Sequence, residues 1–186
     1  MKEDITWWRF DNAVDSKTCN KIIKLAEKKW ETATTNGKKT QEKRKTNISW
    51  TTEQWIYDLV FSYMISANTQ AGWDFEVDAA EGMQIGKYSK GCFYDYHQDG
   101  DGVTTYDTPE NIWTNNKTRK LSMSILLNED YEGGDFKFYD DEEIALKGKS
   151  KGSILVFPSY MQHCVKEVTK GNRYSLVVWF LGPKFK

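Results

Sequence analysis

Ahead of Trp73 the apolar residues of this chain recur every three or four positions, and beyond it they recur every second one. A repeat near 3.6 draws one stripe along a helix, whereas a repeat of two paints one face of a strand. The change of period therefore demands helices first and a run of short strands afterwards. That order suits an α+β fold with helices laid on an antiparallel sheet better than an alternating βαβ chain.

Behind Asp15 and Ser16 as capping candidates, Cys19, Ile22, Ile23, Ala26 and Trp30 form the first stripe and predict a helix ending near Trp30. A second stripe, Ile56, Val60, Tyr63, Met64 and Ala67, follows Thr51 and Thr52 as caps and stops before Gly72. Residues 34–47 are polar and basic, with Gly37, Lys38, Lys39, Lys43, Arg44 and Lys45 and no apolar period. They read as a mobile hairpin or loop, either a solvated surface loop or a lip over an active site. Past Trp73, Leu121, Met123, Ile125 and Leu127 alternate with serines, and Phe136 and Phe138 alternate with Asp135 and Lys137. Further strands are expected over 83–88, 153–157, 164–168 and 174–181. Turn signals separate them at Gly133-Gly134, Gly148, Pro158-Ser159 and Lys170-Gly171-Asn172. Two helices and many short strands indicate a β-sandwich or jelly-roll barrel with the helices on one sheet. The 186 residues suit one domain over 1–186, and 15% aromatic residues suit strands around an aromatic-lined cavity.

Charge and cysteine content narrow the function classes. Twenty-six basic residues against 27 acidic ones leave no domain-wide positive field, so nucleic acid is not an expected partner. Cys19, Cys92 and Cys164 are odd in number and widely spaced, which suggests neither a disulfide framework nor a zinc knuckle and fits a reducing cytoplasm. No leader pattern or run of 18 apolar residues occurs, so no membrane association is expected.

The chain has two histidines, His97 and His163. In His97-Gln-Asp99 an imidazole and a carboxylate stand two residues apart, so an extended backbone points both to one face. Non-haem Fe(II) takes two His and one carboxylate on one face of its octahedron and leaves the other positions for a chelating cosubstrate and O2. Alone, His-x-Asp is more often a surface accident. Here a buried-strand pattern, Gly152-Ser-Ile-Leu-Val-Phe-Pro-Ser159, leads to His163, and Arg173 stands ten residues further, across an expected tight turn over 169–172. A guanidinium there can fork onto the distal carboxylate of 2-oxoglutarate, which a lysine does less well. Arg173, Ser175, Val177 and Trp179 share one face of a strand.

With these residues in view, the sequence resembles the prolyl 4-hydroxylase-like branch of the Fe(II)/2-oxoglutarate dioxygenases. Tyr88-Ser-Lys-Gly-Cys-Phe-Tyr-Asp-Tyr-His97-Gln-Asp99 looks like that family's Tyr-x-x-Gly…His-x-Asp segment. Arg119-Lys-Leu-Ser-Met-Ser-Ile-Leu-Leu-Asn128 and Tyr131-Glu-Gly-Gly134-Asp-Phe-Lys-Phe138 are similar to its central strands and Gly-Gly turn, and 152–179 to its C-terminal signature. The resemblance implies a double-stranded β-helix (jelly-roll, cupin-like) barrel with N-terminal helices on one sheet. It implies His97, Asp99 and His163 as iron ligands, Arg173 as the oxoglutarate clamp, Tyr88 as a hydroxyl donor to the same carboxylate and Trp179 as a site wall. Tyr94, Arg119 and Trp179 are implied as substrate contacts. Read by themselves, Tyr88 and Trp179 equally suit core packing, Cys164 reads as core, Gly133-Gly134 as a hairpin turn without chemistry, and Asp140-Asp-Glu-Glu143 as a solvated loop end.

The implied activity is oxidative decarboxylation of 2-oxoglutarate to succinate and CO2 with hydroxylation of a prolyl residue in a peptide or protein. The implied cofactors are Fe(II), 2-oxoglutarate and O2, with ascorbate as reductant. Two departures stand out. Leu126 occupies a position where some relatives carry a second oxoglutarate-binding tyrosine, and 101–118 with Trp113 is an insertion expected to cover the mouth or shape substrate choice. Alternatives are hydroxylation of another side chain or a small molecule, and a catalytically silent binding module, which usually has lost a ligand. The nucleic-acid demethylase branch places a second arginine where this chain has Trp179.

Overall fold

A 17-residue and a 10-residue helix and a set of antiparallel ladders are what the two apolar periods become in the computed structural model. It describes residues 5–34, 42–139 and 150–185. The elements are β1 (Trp8–Phe10), α1 (Ser16–Leu25), β2 (Glu31–Thr32), β3 (Arg44–Lys45), β4 (Asn47–Thr51) and α2 (Gln54–Gln70). Then follow β5 (Ala79–Ala80), β6 (Met83–Ser89), β7 (Phe93–His97), β8 (Thr118–Leu126) and β9 (Tyr131–Gly133). The last are β10 (Phe136–Phe138), β11 (Ile154–Pro158), β12 (His163–Val165) and β13 (Val168–Gly182).

Among the described residues a larger sheet runs β1-β11-β8-β13-β6-β4-β2, with β5 and β9 also pairing β13, and a smaller one runs β10-β12-β7-β3. This is the expected double-stranded β-helix of two antiparallel sheets. Alternation sorts its residues. On β8 and β13, Leu121, Met123, Ile125, Leu176, Val178 and Phe180 join Ile22, Ile56, Val60 and Met64 of the two helices in one core cluster. The intervening residues, Ser122, Ser124, Arg173, Ser175 and Trp179, turn to the space between the sheets.

Phe180 is fully buried and meets Phe61 of α2 edge to face at 5.3 Å, so it ties helix to sheet. Phe180→Ala is expected to cost about 3–5 kcal/mol, read as a lower denaturant midpoint at unchanged m-value.

Several boundaries differ from expectation. Asp15 caps α1, accepting from the Thr18 backbone N–H at 2.9 Å, but the helix ends at Leu25 because Lys28 turns into left-handed backbone at φ 69°. Trp30 still packs on Tyr174, from outside the helix. Glu53, and neither Thr51 nor Thr52, is the N-cap of α2, and it makes no side-chain cap bond. The helix stops before Gly72, as its left-handed φ of 70° requires. The tight turn expected over 169–172 is strand: β13 runs through it, leaving β9 for β6, because Gly171 at φ 75° bends the chain without reversing it. The strand expected over 164–168 is shorter, His163–Val165.

Of the basic segment, Arg44-Lys45 is strand paired to β7, and 35–41 lie outside the described residues. The acidic run Asp140-Asp-Glu-Glu143 and Gly148 lie outside them too. No helix among the described residues is long and apolar enough to cross a membrane.

Candidate active site

His163 of β12 pairs directly with His97 of β7, while Val165 pairs with Tyr94, two steps on one strand against three on the other. The extra residue is a β-bulge, and it brings Tyr94 and His97 to the same face. Their rings stack at 3.5 Å. Nδ1 of His97 faces the Asp95 carbonyl at 2.8 Å, and Nδ1 of His163 faces the Met161 carbonyl at 2.9 Å. A carbonyl only accepts, so each Nδ1 carries a proton and each Nε2 is the ring nitrogen left to meet a metal. Those Nε2 atoms lie 3.6 Å from Oδ1 and 3.6 Å from Oδ2 of Asp99 respectively. All three ligand atoms fall within 4.8 Å of one another, the expected juxtaposition of the His-x-Asp pair with the distant histidine.

Asp99 is fastened by its backbone, its N–H donating to the Ser159 carbonyl at 3.0 Å and its own carbonyl accepting from Arg119 Nη1 at 3.0 Å. Burial works against its charge, but His163, His97 and Arg119 around it and a hydrogen bond from Ser122 hold its carboxyl below the ordinary range. Burial, with His163 beside it, lowers His97 to about 4, so at neutral pH its Nε2 lone pair is available. Two imidazole nitrogens and one carboxylate oxygen on one side of a cavity fit the facial donor set of a ferrous ion.

The cavity between the sheets has a volume of about 310 Å³, and Arg173 lies in its wall together with His97, Asp99 and His163. Arg173 is 4% exposed; its Nη1 donates to Ser175 Oγ at 3.1 Å, and its Cζ stands 5.4 Å from the Tyr88 ring centre. Its Nε and the indole N–H of Trp179 are buried without a partner. A buried unpaired donor costs about 1–3 kcal/mol, and two of them on one cavity suit an anionic ligand such as a dicarboxylate.

Tyr88, Tyr94, Arg119 and Trp179 also line this cavity. The Arg119 guanidinium is committed: Nε and Nη2 each donate to Glu81 at 2.6 Å, and its Cζ lies 4.1 Å over the Trp179 ring. Burial would lower its pKa, but Glu81 more than offsets this and raises it. Glu81 also accepts from Tyr106 at 2.8 Å. Through Tyr106 the 101–118 segment is joined to the Glu81–Arg119 pair. None of residues 101–118 lines the cavity, and Ile112 and Trp113 are 75% and 64% exposed.

Sequence reasoning missed Glu81, Gln84, Phe136, Tyr131 and the position of Arg44. Gln84 was legible in hindsight, since Gln84, Gly86 and Tyr88 alternate onto the cavity face. Arg44 reaches Gln84 Oε1 at 2.6 Å and lies 4.4 Å from the Tyr94 ring centre, which brings the basic segment to the cavity rim. Phe136 stacks on His163 at 5.2 Å.

The family model for the 2OG-Fe(II) oxygenase superfamily matches residues 83–181. A PKHD-type hydroxylase of Alteromonas mediterranea is 30% identical over 98 residues, 50% of this chain and 40% of that protein. A PKHD-type hydroxylase of Prochlorococcus marinus is 30% identical over 100 residues, 53% and 40% of the two. Those matches span well under two thirds of the relatives' length. Among solved structures, a Pseudomonas putida prolyl-4-hydroxylase has a TM-score of 0.73 at 19% identity, covering 94% of this chain and 92% of that one. A Trichoplax adhaerens prolyl hydroxylase, solved with a hypoxia inducible factor oxygen degradation domain peptide fragment, has a TM-score of 0.74 at 15% identity, covering 94% and 83%. At such identities these structures bear on the fold alone.

Proposed function

Because the chain belongs to the 2OG-Fe(II) oxygenase superfamily, we propose that it is an Fe(II)- and 2-oxoglutarate-dependent dioxygenase that hydroxylates a prolyl residue in a peptide or protein. The observation that carries this reading is one cavity with both a two-histidine, one-carboxylate cluster and a buried arginine in its wall.

His97 and His163, through Nε2, and Asp99, through its carboxylate, would hold the iron. Arg173 would clamp the distal carboxylate of oxoglutarate, with Tyr88 beside it. When bound, iron and oxoglutarate would supply, with O2 as oxidant, oxidative decarboxylation to succinate and CO2, one atom of O2 entering succinate and the other a substrate C–H bond. The chain's own residues hold, orient and shield. The Asp95 and Met161 carbonyls keep the imidazole protons on Nδ1. Phe136 and Phe157 pack against His163 at 5.2 and 4.8 Å and exclude water from that side. Arg119, tied to Glu81, holds the Asp99 backbone.

The peptide assignment draws support from the relatives, which are PKHD-type hydroxylases, and from the fold shared with prolyl hydroxylases, one of them solved with a peptide. Tyr94, Arg119 and Trp179 supply an aromatic and guanidinium wall on which a pyrrolidine ring would pack.

Incubation with Fe(II), 2-oxoglutarate, ascorbate and air is expected to yield succinate, and proline-containing peptides in the mixture gain one oxygen atom by mass spectrometry. Preferential oxidation of free amino acids or nucleotides would overturn the prolyl assignment. Absence of succinate with every peptide would identify a silent binding module instead.

A further inference from the structure

Tyr131 opens β9 and pairs with Gly171 of β13, two residues before Arg173. It is 8% exposed and lines one chamber with Arg173; burial pushes its phenol up, and the nearby guanidinium works against that push. A guanidinium only donates, so toward it the phenol oxygen can only accept. Tyr131 and Arg173 line a side chamber of about 70 Å³ that shares Ser124, Phe136 and Arg173 with the main cavity. On β8, Leu126 gives this chamber an apolar wall, so Tyr131 brings a hydroxyl to the arginine from a different strand.

Two glycines make room for it. A Cβ on Gly134 would stand 3.0 Å from Arg173 Cδ and 3.2 Å from Tyr131 Cε2, and one on Gly171 would stand 3.3 Å from Tyr131 Cβ. Both are at positive φ, 63° and 75°, where a side chain is strained in any case. Gly133-Gly134 is therefore more than a hairpin turn, since its second member admits the Arg173 stem beside the tyrosine ring. Ser175 holds Nη1 of the same guanidinium at 3.1 Å, and Nε stays without a partner. The arginine is thus held by the Ser175 hydroxyl, flanked by the Tyr131 ring, and keeps a buried donor unspent.

We propose that Tyr131 is a positioning residue that sets the orientation of the Arg173 guanidinium and so makes the site select keto acids carrying a distal carboxylate. This rests on the reading of Arg173 as the oxoglutarate clamp. Fixed orientation matters because a fork-to-fork guanidinium–carboxylate pair requires coplanar groups.

The test is equilibrium binding to the full chain loaded anaerobically with Fe(II), followed by tryptophan fluorescence. The probes are 2-oxoglutarate and 2-oxobutanoate, which has the same keto acid end and no distal carboxylate. Tyr131→Phe is expected to weaken 2-oxoglutarate about tenfold, the worth of one hydrogen bond to a charged group, and to leave 2-oxobutanoate and Fe(II) affinities unchanged. Gly134→Ala, which crowds the arginine stem with the hydroxyl in place, is expected to show the same selective loss and serves if the first variant does not fold. Equal weakening of both probes, or of neither, overturns the proposal. A wild-type protein that binds the two probes equally would overturn the clamp reading itself, and this inference with it.

Discussion

Asp99→Ala is expected to give a folded protein with no oxoglutarate turnover and with affinity for Fe(II) or Mn(II) lowered by at least about 100-fold, since losing even the groups behind a ligand costs roughly 10–100-fold. Asp99 is the only anionic donor of the three, and its two oxygens stand 3.6 Å from the two imidazole nitrogens. Without it only two imidazoles remain, a set that holds any divalent ion weakly. Metal at 100 times its dissociation constant stabilises a protein by about 2.7 kcal/mol. The wild type should therefore melt at a higher temperature with Mn(II), and the variant should not. An unchanged metal-induced rise in the variant would remove Asp99 from the ligand set.

The second large effect is at the other end of the cavity. Arg173→Ala is expected to raise KM for 2-oxoglutarate about 100-fold or more, because truncating one member of a buried, hydrogen-bonded charge pair costs about 2–5 kcal/mol. Arg173→Lys should recover part of the loss, since lysine restores the charge without the fork. The KM for a peptide substrate should stay close to that of the wild type in both. Steady-state kinetics with each substrate varied in turn checks this; a rise confined to the peptide KM would place Arg173 in the substrate path instead.

What was legible in the sequence follows from which distances along the chain are short. His97 and Asp99 are two residues apart, and Arg173, Ser175, Val177 and Trp179 repeat with period two, so local geometry already aims them at one cavity. The same period divided β8 into a core face and a cavity face. The illegible parts depend on register between strands. No local signal marks the bulge in β7 that sets Tyr94 beside His97. Glu81 meets Arg119 across 38 residues, and Tyr131 reaches Arg173 only through the β9–β13 pairing. Gly171 misled for a physical reason, because a left-handed glycine makes a strand bulge as readily as a turn. Trp30 misled because an apolar residue can continue a helical period while packing from a loop. The 101–118 segment reads from its length and Trp113 as a cover or a shaper of substrate choice, and exposure of Ile112 and Trp113 is a tertiary outcome that no local pattern carries.

The most direct measurement is an anaerobic titration of the wild-type protein with Fe(II) and 2-oxoglutarate, watched in the visible range. Chelation of the keto acid to a ferrous ion held by His97, Asp99 and His163 predicts a metal-to-ligand charge-transfer band that saturates at one equivalent of each and is lost in Asp99→Ala. No band with wild-type protein, or the same band in the Asp99→Ala variant, would contradict the account.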